Sequence, residues 1–180
     1  MNRIVLVMIL AVLVVGGFAL VPSSQAPNEP ESASSPTEKA SNSQVTLVTN
    51  KGEIVIELFN SSAPKTVGNF LTKVTAGEYN GRLFHRVEDW VVQGGDPLGN
   101  GTGGSSSLPT ELSSRPFLKG AVGVARGNDI KVSNDAQFFI VKTDAPSLNG
   151  QYTNFGQVKS GLEVVEKMTV GDRINSIRLN

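Results

Sequence analysis

Residues 84–96, FHRVEDWVVQGGD, limit the possible folds more than any other part of the chain. Phe84, Val87, Val91 and Val92 are strand formers, and Gly94-Gly95 ends the run. The spacing predicts two short strands with a bend at Glu88-Asp89. Arg86 and Gln93 stand inside this otherwise apolar segment. Buried polar side chains need hydrogen-bond partners, so the two either form an internal network or face a ligand. Residues 136–141, AQFFIV, have the same character around Gln137 and Phe139. If strands from both stretches share a sheet, Arg86, Gln93, Gln137 and Phe139 line one concave face. That face is an apolar slot with one fixed cation and two amides.

The rest of the folded part reads as short strands with helices between them. Val45, Leu47 and Thr49 alternate, residues 50–52 turn, and Ile54, Ile56 and Leu58 alternate again, which predicts a β-hairpin. Glu53 and Glu57 fall on its opposite, solvated face. Residues 61–77 read as a helix: Pro64 suits the first turn and Gly77 the C-terminus. Val67, Phe70, Leu71 and Val74 repeat at i, i+3, i+4 and i+7. Gly68 in mid-helix suggests close packing. Residues 97–107 form a Gly/Ser-rich loop without the Gly-Lys-Ser/Thr of a phosphate-binding loop. Residues 119–126 predict a strand in which Ala121, Gly123 and Ala125 leave room for something to approach. A polar loop over 127–135, a core strand over 137–141, a loop over 144–153 and a short strand over 155–158 follow. Leu162, Val165 and Met168 mark a second amphipathic helix, and 174–179 a last strand. With 19 glycines and no βαβ repeat, the expected fold is mainly β. It is a closed, eight-stranded antiparallel barrel capped by two α-helices.

This domain is expected over 45–180. Ahead of it, residues 4–21 are apolar and uncharged, which suits an N-terminal helix spanning 1–21 that serves as a cleaved signal peptide or a retained membrane anchor. Residues 22–44 are rich in Ser, Pro, Ala and Glu and predict a disordered linker. Either outcome for the apolar run puts the domain outside the cytoplasm, secreted or membrane-anchored.

Several function classes have poor support. Formal net charge is zero, from 16 basic and 16 acidic residues, so there is no electrostatic footprint for nucleic acid. There is no cysteine and one histidine, His85. Hydrolytic triads and His/Cys metal sites therefore have poor support, and no cofactor is expected. A lone histidine in a strand reads as a hydrogen-bonded core residue rather than a general base.

FHR at 84–86, QGGD at 93–96, NGTGG at 100–104, QFFI at 137–140, LNG at 148–150 and FG at 155–156 together resemble a cyclophilin. The order and spacing match that family of peptidyl-prolyl cis/trans isomerases over about 45–180. The resemblance implies rotation about X-Pro bonds, with proline-containing polypeptides as partners and the domain acting as a monomer. Arg86 matches the family's catalytic arginine, Gln93 the glutamine that positions it, and Phe139 the floor of the proline pocket. Gln137 matches a groove amide and Leu148 a wall leucine. Trp90 and Val91 stand where the family has wall residues, Tyr152 where many members carry His. Ala125 and Arg126 occupy the strand edge whose backbone pairs with substrate; the Arg126 side chain has no implied part. The segment from Arg86 to Gln93 is one residue short against the commoner pattern. Ser147 replaces a Trp associated with cyclosporin binding. Two further readings remain: a non-catalytic proline-peptide-binding or chaperone module using the same groove, and a small-ligand barrel. Intact Arg86, Gln93 and Phe139 favour the isomerase.

Overall fold

The computed structural model describes residues 42–104 and 106–180. The apolar run 4–21 and nearly all of the linker lie outside the described residues. The first hairpin is as expected: β1 (Gln44–Thr49) and β2 (Gly52–Leu58) pair from Gln44↔Glu57 to Thr49↔Gly52. The chain then runs through α1 (Pro64–Thr75), β3 (Phe84–Val87), β4 (Val91–Gly94), β5 (Ser107–Pro109), β6 (Ala121–Val124), β7 (Val132–Asn134) and β8 (Phe138–Val141). A 3-10 turn (Pro146–Leu148), β9 (Asn154–Ser160), α2 (Leu162–Glu166) and β10 (Ile174–Leu179) complete it.

Eight strands form one antiparallel sheet in the order β10-β1-β2-β9-β6-β8-β4-β3. The ends of this curled sheet meet at one corner. Leu83 and Arg173 form a single bridge, Phe84 N–H donates to the Asp172 carbonyl (2.8 Å), and Ile174 N–H donates to that of Arg82 (2.8 Å). One bridge and no strand ladder joins the two end strands, so the sheet is a curled half-barrel, short of the closed barrel expected from the sequence. Asp172 fastens the corner by accepting from Asn50 Nδ2 (2.7 Å) and from the backbone and hydroxyl of Thr169.

A separate ribbon, β5 with β7, was not expected. β7 lies in the segment expected to be a polar loop, and β5 starts at the last residue of the Gly/Ser-rich loop and runs into residues without an assignment; each strand is only three residues long.

Helix α1 lays Val67, Phe70 and Val74 into the main core. The Phe70 ring lies 5.2–5.8 Å from those of Tyr79, Phe155 and Phe138. Its N-terminus is capped from far away in sequence. Ala63 at the N-cap position offers no side-chain acceptor, and the Glu111 carboxylate takes both the Lys65 N–H (3.0 Å) and the Thr66 N–H (2.8 Å). Those are the donors that a local cap would satisfy. Gly77, at φ +70°, turns the chain out of the helix. Gly68 is not closely packed: a Cβ there would meet nothing within 4 Å.

Strands β4, β6 and β8 are buried at every position except Gln93. Side chains alternate between the two faces of a sheet, and here both faces are covered. Val92, Val122, Val124, Phe138 and Ile140 point into the main core. Val91, Ala121, Phe139 and Val141 point the other way, into a second cluster with Phe117 and Ala145. The candidate site stands on this second face.

Candidate active site

Strand register assembles the site in a single row. Arg86 on β3 faces Gln93 on β4, Gln93 faces Phe139 on β8, and Phe139 faces Gly123 on β6. Directly opposed residues share a sheet face, so one row across four strands brings together residues far apart in sequence. A bulge between Phe84 and Arg86 leaves His85 out of the ladder, and the extra residue lets the alternation resume with Arg86 opposite Gln93.

The row borders a cavity of about 230 Å³ lined by Arg86, Trp90, Val91, Gln93, Ala125, Arg126, Phe139, Leu148 and Tyr152. Phe139 forms its aromatic centre. It stacks on Phe117 (centroids 5.7 Å apart, planes at 23°) and meets Tyr152 edge-on (5.7 Å, 88°). Gly123 makes room for this: a Cβ there would lie 2.7 Å from Phe139 Cε2 and 2.8 Å from Phe117 Cε1. The space that the small-residue strand leaves is thus filled by two phenyl rings. Phe117, fully buried beneath the pocket, went unnoticed in the sequence because it sits in a loop without periodicity.

The polar side of the cavity is a chain of hydrogen bonds. Arg86 Nη1 donates to Gln93 Oε1 (3.3 Å), and Gln93 Nε2 donates to Gln137 Oε1 (3.0 Å). Gln137 Nε2 then donates to the carbonyls of Gly101 (3.1 Å) and Gly103 (2.7 Å). Gln137 is buried and does not line the cavity; it fixes the orientation of Gln93. The Gly/Ser-rich loop is therefore an acceptor platform for this chain. Asp96 shapes the loop, its carboxylate accepting from the backbone N–H of Leu98, Asn100 and Gly101. Burial pushes the Asp96 carboxyl up, but those three donors outweigh it and hold it below the usual range.

Arg86 has further partners. Its Nε donates to Glu88 Oε1 (2.7 Å), and its Cζ lies 5.3 Å from the centre of the Trp90 ring. The Arg126 side chain, unassigned from sequence, stacks on Tyr152 at 4.5 Å and donates to the carbonyl of Gln151. The backbone of Ala125 is already paired, its N–H with the Gln137 carbonyl and its carbonyl with the Asn134 N–H. Among the described residues the backbone of Arg126 has no such partner, so the open strand edge is at Arg126 alone.

His85 departs from expectation. It is half-buried, and among the described residues neither ring nitrogen has a hydrogen-bond partner. Burial lowers its pKa, Arg86 lowers it further, and Asp96 opposes both. The balance favours the neutral ring. Among the described residues no three His, Asp or Glu side chains gather where a metal ion could sit.

An antiparallel curled sheet thus carries, on one face, a small pocket with an aromatic floor beside an arginine. The sequence model described as "Cyclophilin type peptidyl-prolyl cis-trans isomerase/CLD" matches residues 44–178. The chain belongs to this family of isomerases. It is 43% identical over 129 residues to peptidyl-prolyl cis-trans isomerase cypE of Dictyostelium discoideum, covering 69% of this chain and 83% of that one. It is 41% identical over 147 residues to a peptidyl-prolyl cis-trans isomerase of Helicobacter pylori, covering 78% and 88%. The crystal structure of a Cryptosporidium parvum cyclophilin type peptidyl-prolyl cis-trans isomerase superposes with a TM-score of 0.73 at 30% identity, covering 77% of this chain and 98% of that one. The same protein has a structure in the presence of the dipeptide Ala-Pro (TM-score 0.72, 30% identity, covering 76% and 98%).

Proposed function

We propose that this isomerase turns X-Pro bonds of exported polypeptides by holding the proline ring over Phe139 and aiming Arg86 at the twisted amide. The observation that carries the reading is the row Arg86–Gln93–Phe139, which sets a hydrogen-bonded cation at the rim of a small pocket floored by an aromatic ring. Rotation is opposed by amide resonance, a barrier of about 18–20 kcal/mol. In the twisted state the nitrogen regains a lone pair, and a guanidinium N–H donates to it more strongly than to the planar amide. Stabilising the twisted state in preference to the planar one lowers the barrier. Arg86 suits this because it stays charged and its donors form a planar fork.

Three of its five N–H donors have no acceptor among the described residues, so they are available to substrate. Gln93, oriented by Gln137, accepts from the guanidinium at Nη1 and sets its side facing the pocket. Val91, Leu148, Trp90 and Tyr152 wall the ring, and the open backbone at Arg126 pairs with the peptide. An Ala-Pro dipeptide accompanies the related parasite cyclophilin, in line with proline-containing peptides as the ligand class here. No step requires a proton to leave or enter substrate, so a neutral His85 is no obstacle.

The export part of the reading rests on the apolar run 4–21 followed by a polar, Pro/Ser-rich stretch. Fractionation tests it. Full-length protein is expected in membranes if the run is kept, or in the exported soluble fraction if it is cut. Recovery in the cytosol contradicts both versions. Turnover by Arg86→Ala, beside its peptide affinity, tests the chemistry.

A further inference from the structure

The turn between β3 and β4 carries a carboxylate that the isomerase reading has not used. Register Val87↔Val92 and mutual hydrogen bonds between Glu88 and Val91 make Asp89-Trp90 a two-residue hairpin connection. Glu88 directly follows the last residue of β3, two residues from Arg86, and its side chain returns to the Arg86 side. The tight turn brings Trp90 back to the same end. Glu88 then serves both neighbours. Its Oε1 accepts from Arg86 Nε (2.7 Å), and its Oε2 accepts from Trp90 Nε1 (2.8 Å).

The turn itself is anchored from β8. Lys142 N–H donates to the Trp90 carbonyl (2.7 Å), and Lys142 Nζ donates to the Glu88 carbonyl (3.1 Å). The carboxylate is therefore mounted on a fixed support. The charged groups around it are Arg86 on its own strand, Lys142 on the neighbouring segment and Asp89 in the turn. The last of these makes no side-chain hydrogen bond or ion pair among the described residues.

We infer that Glu88 is a positioning residue for the isomerase reaction, clasping the Arg86 guanidinium and the Trp90 wall into one rigid rim. The inference rests on Arg86 acting as proposed above. A guanidinium held only through Gln93 at 3.3 Å can pivot about its own stem. The Glu88 contact at Nε, next to that stem, removes the pivot and leaves the outer donors free for substrate. Holding Trp90 by its indole nitrogen also sets the ring plane beneath Arg86. Glutamine cannot replace this carboxylate. In the same placement its carbonyl oxygen meets only one of the two donors, and its NH₂ faces the other N–H.

The test uses the full-length protein and an X-Pro tetrapeptide, with kcat and KM taken from exchange spectroscopy. Trp90 is the only tryptophan, so intrinsic emission reports directly on the clasp. Glu88→Gln is expected to lower kcat about three- to tenfold, a fraction of the roughly hundredfold that a 1 Å misplacement of a reacting group can cost, because Gln93 still holds one side of the guanidinium. KM stays within about twofold and the Trp90 emission shifts, as uniform binding is not what the clasp supplies. Asp89→Asn, with the same charge change one residue on, leaves all three unchanged. In an Arg86→Ala background, Glu88→Gln has no further effect on kcat, because its effect runs through the arginine. Wild-type kcat in Glu88→Gln beside an impaired Arg86→Ala overturns the role of Glu88 alone. So does an unshifted emission, or an equal loss in the Arg86→Ala background. Full turnover in Arg86→Ala overturns the reading of Arg86, and the clasp's catalytic role with it.

Discussion

Gly123→Ala isolates the floor of the proline pocket from its polar rim. The glycine lies on β6 without a positive φ, so alanine brings no backbone strain. Its methyl carbon would run into Phe139 Cζ and lie 2.7–2.8 Å from the next ring carbons of Phe139 and Phe117. Carbon atoms settle at about 3.5–4.0 Å, so the Phe139 ring must retreat by more than about 1 Å. Phe117 is fully buried, whereas Phe139 faces the cavity. Phe139 therefore moves outward into the cavity, the space proposed for the proline ring. Overpacking of this kind destabilises by about 1–3 kcal/mol. Burial of a proline-sized apolar group is worth about 1.5–3 kcal/mol, and losing a third to a half of it weakens peptide binding about fivefold. Calorimetric titration with an X-Pro peptide reads the affinity, and thermal unfolding reads the stability. Adding Phe117→Leu, which gives Phe139 room to sink back, is expected to recover part of the affinity. A folded Gly123→Ala that binds as well as the parent would refute the claim that Phe139 is the floor.

Other substitutions probe the frame around the site. Gly68→Ala, exposed and in open space on α1, should stabilise by about 1 kcal/mol and raise the denaturant midpoint without changing activity. Glu111→Gln should lower stability by about 1 kcal/mol, because it removes charge and one good acceptor from the α1 N-terminus; a loss smaller than a few tenths in urea unfolding counts against the remote cap. Asp96 has its folded pKa depressed, so its contribution to stability is present above the unfolded value near 4 and is lost as pH falls through the folded value. Asp96→Asn should therefore be less stable than the parent at pH 7, by about 1–3 kcal/mol, with the gap narrowing below about pH 4 in parallel melts.

The sequence shows the site more plainly than the scaffold behind it. Arg86, Gln93 and Phe139 were readable as one face because strand alternation and short, clean turns make the register predictable from residue type. The hairpin and α1 were readable for the same reason: apolar positions repeat at periods set by backbone geometry. Glu111, Phe117 and the β5–β7 ribbon act through contacts between segments remote in sequence, for which no period exists. Gln137 was visible as a buried amide, yet its role in orienting Gln93 depends on where the carbonyls of Gly101 and Gly103 fall. Gly68 and Gly123 show the limit in the opposite sense. Both looked like sites of close approach, and only Gly123 has rings packed against it.

The central claim is that Arg86 acts on the twisted amide and not on binding in general. Arg86→Ala, compared with the parent in protease-coupled isomerisation and in peptide titration, tests it most directly, with circular dichroism confirming the fold. A charged hydrogen bond is worth about 1.5–3 kcal/mol and each 1.36 kcal/mol of barrier is about tenfold in rate. Turnover should therefore fall about 10- to 150-fold, while affinity changes far less because Phe139 and Leu148 still hold the ring. Lysine should restore little, since one ammonium cannot reproduce the planar fork of donors. Full turnover in a folded Arg86→Ala, or a loss of affinity as large as the loss of rate, contradicts the account.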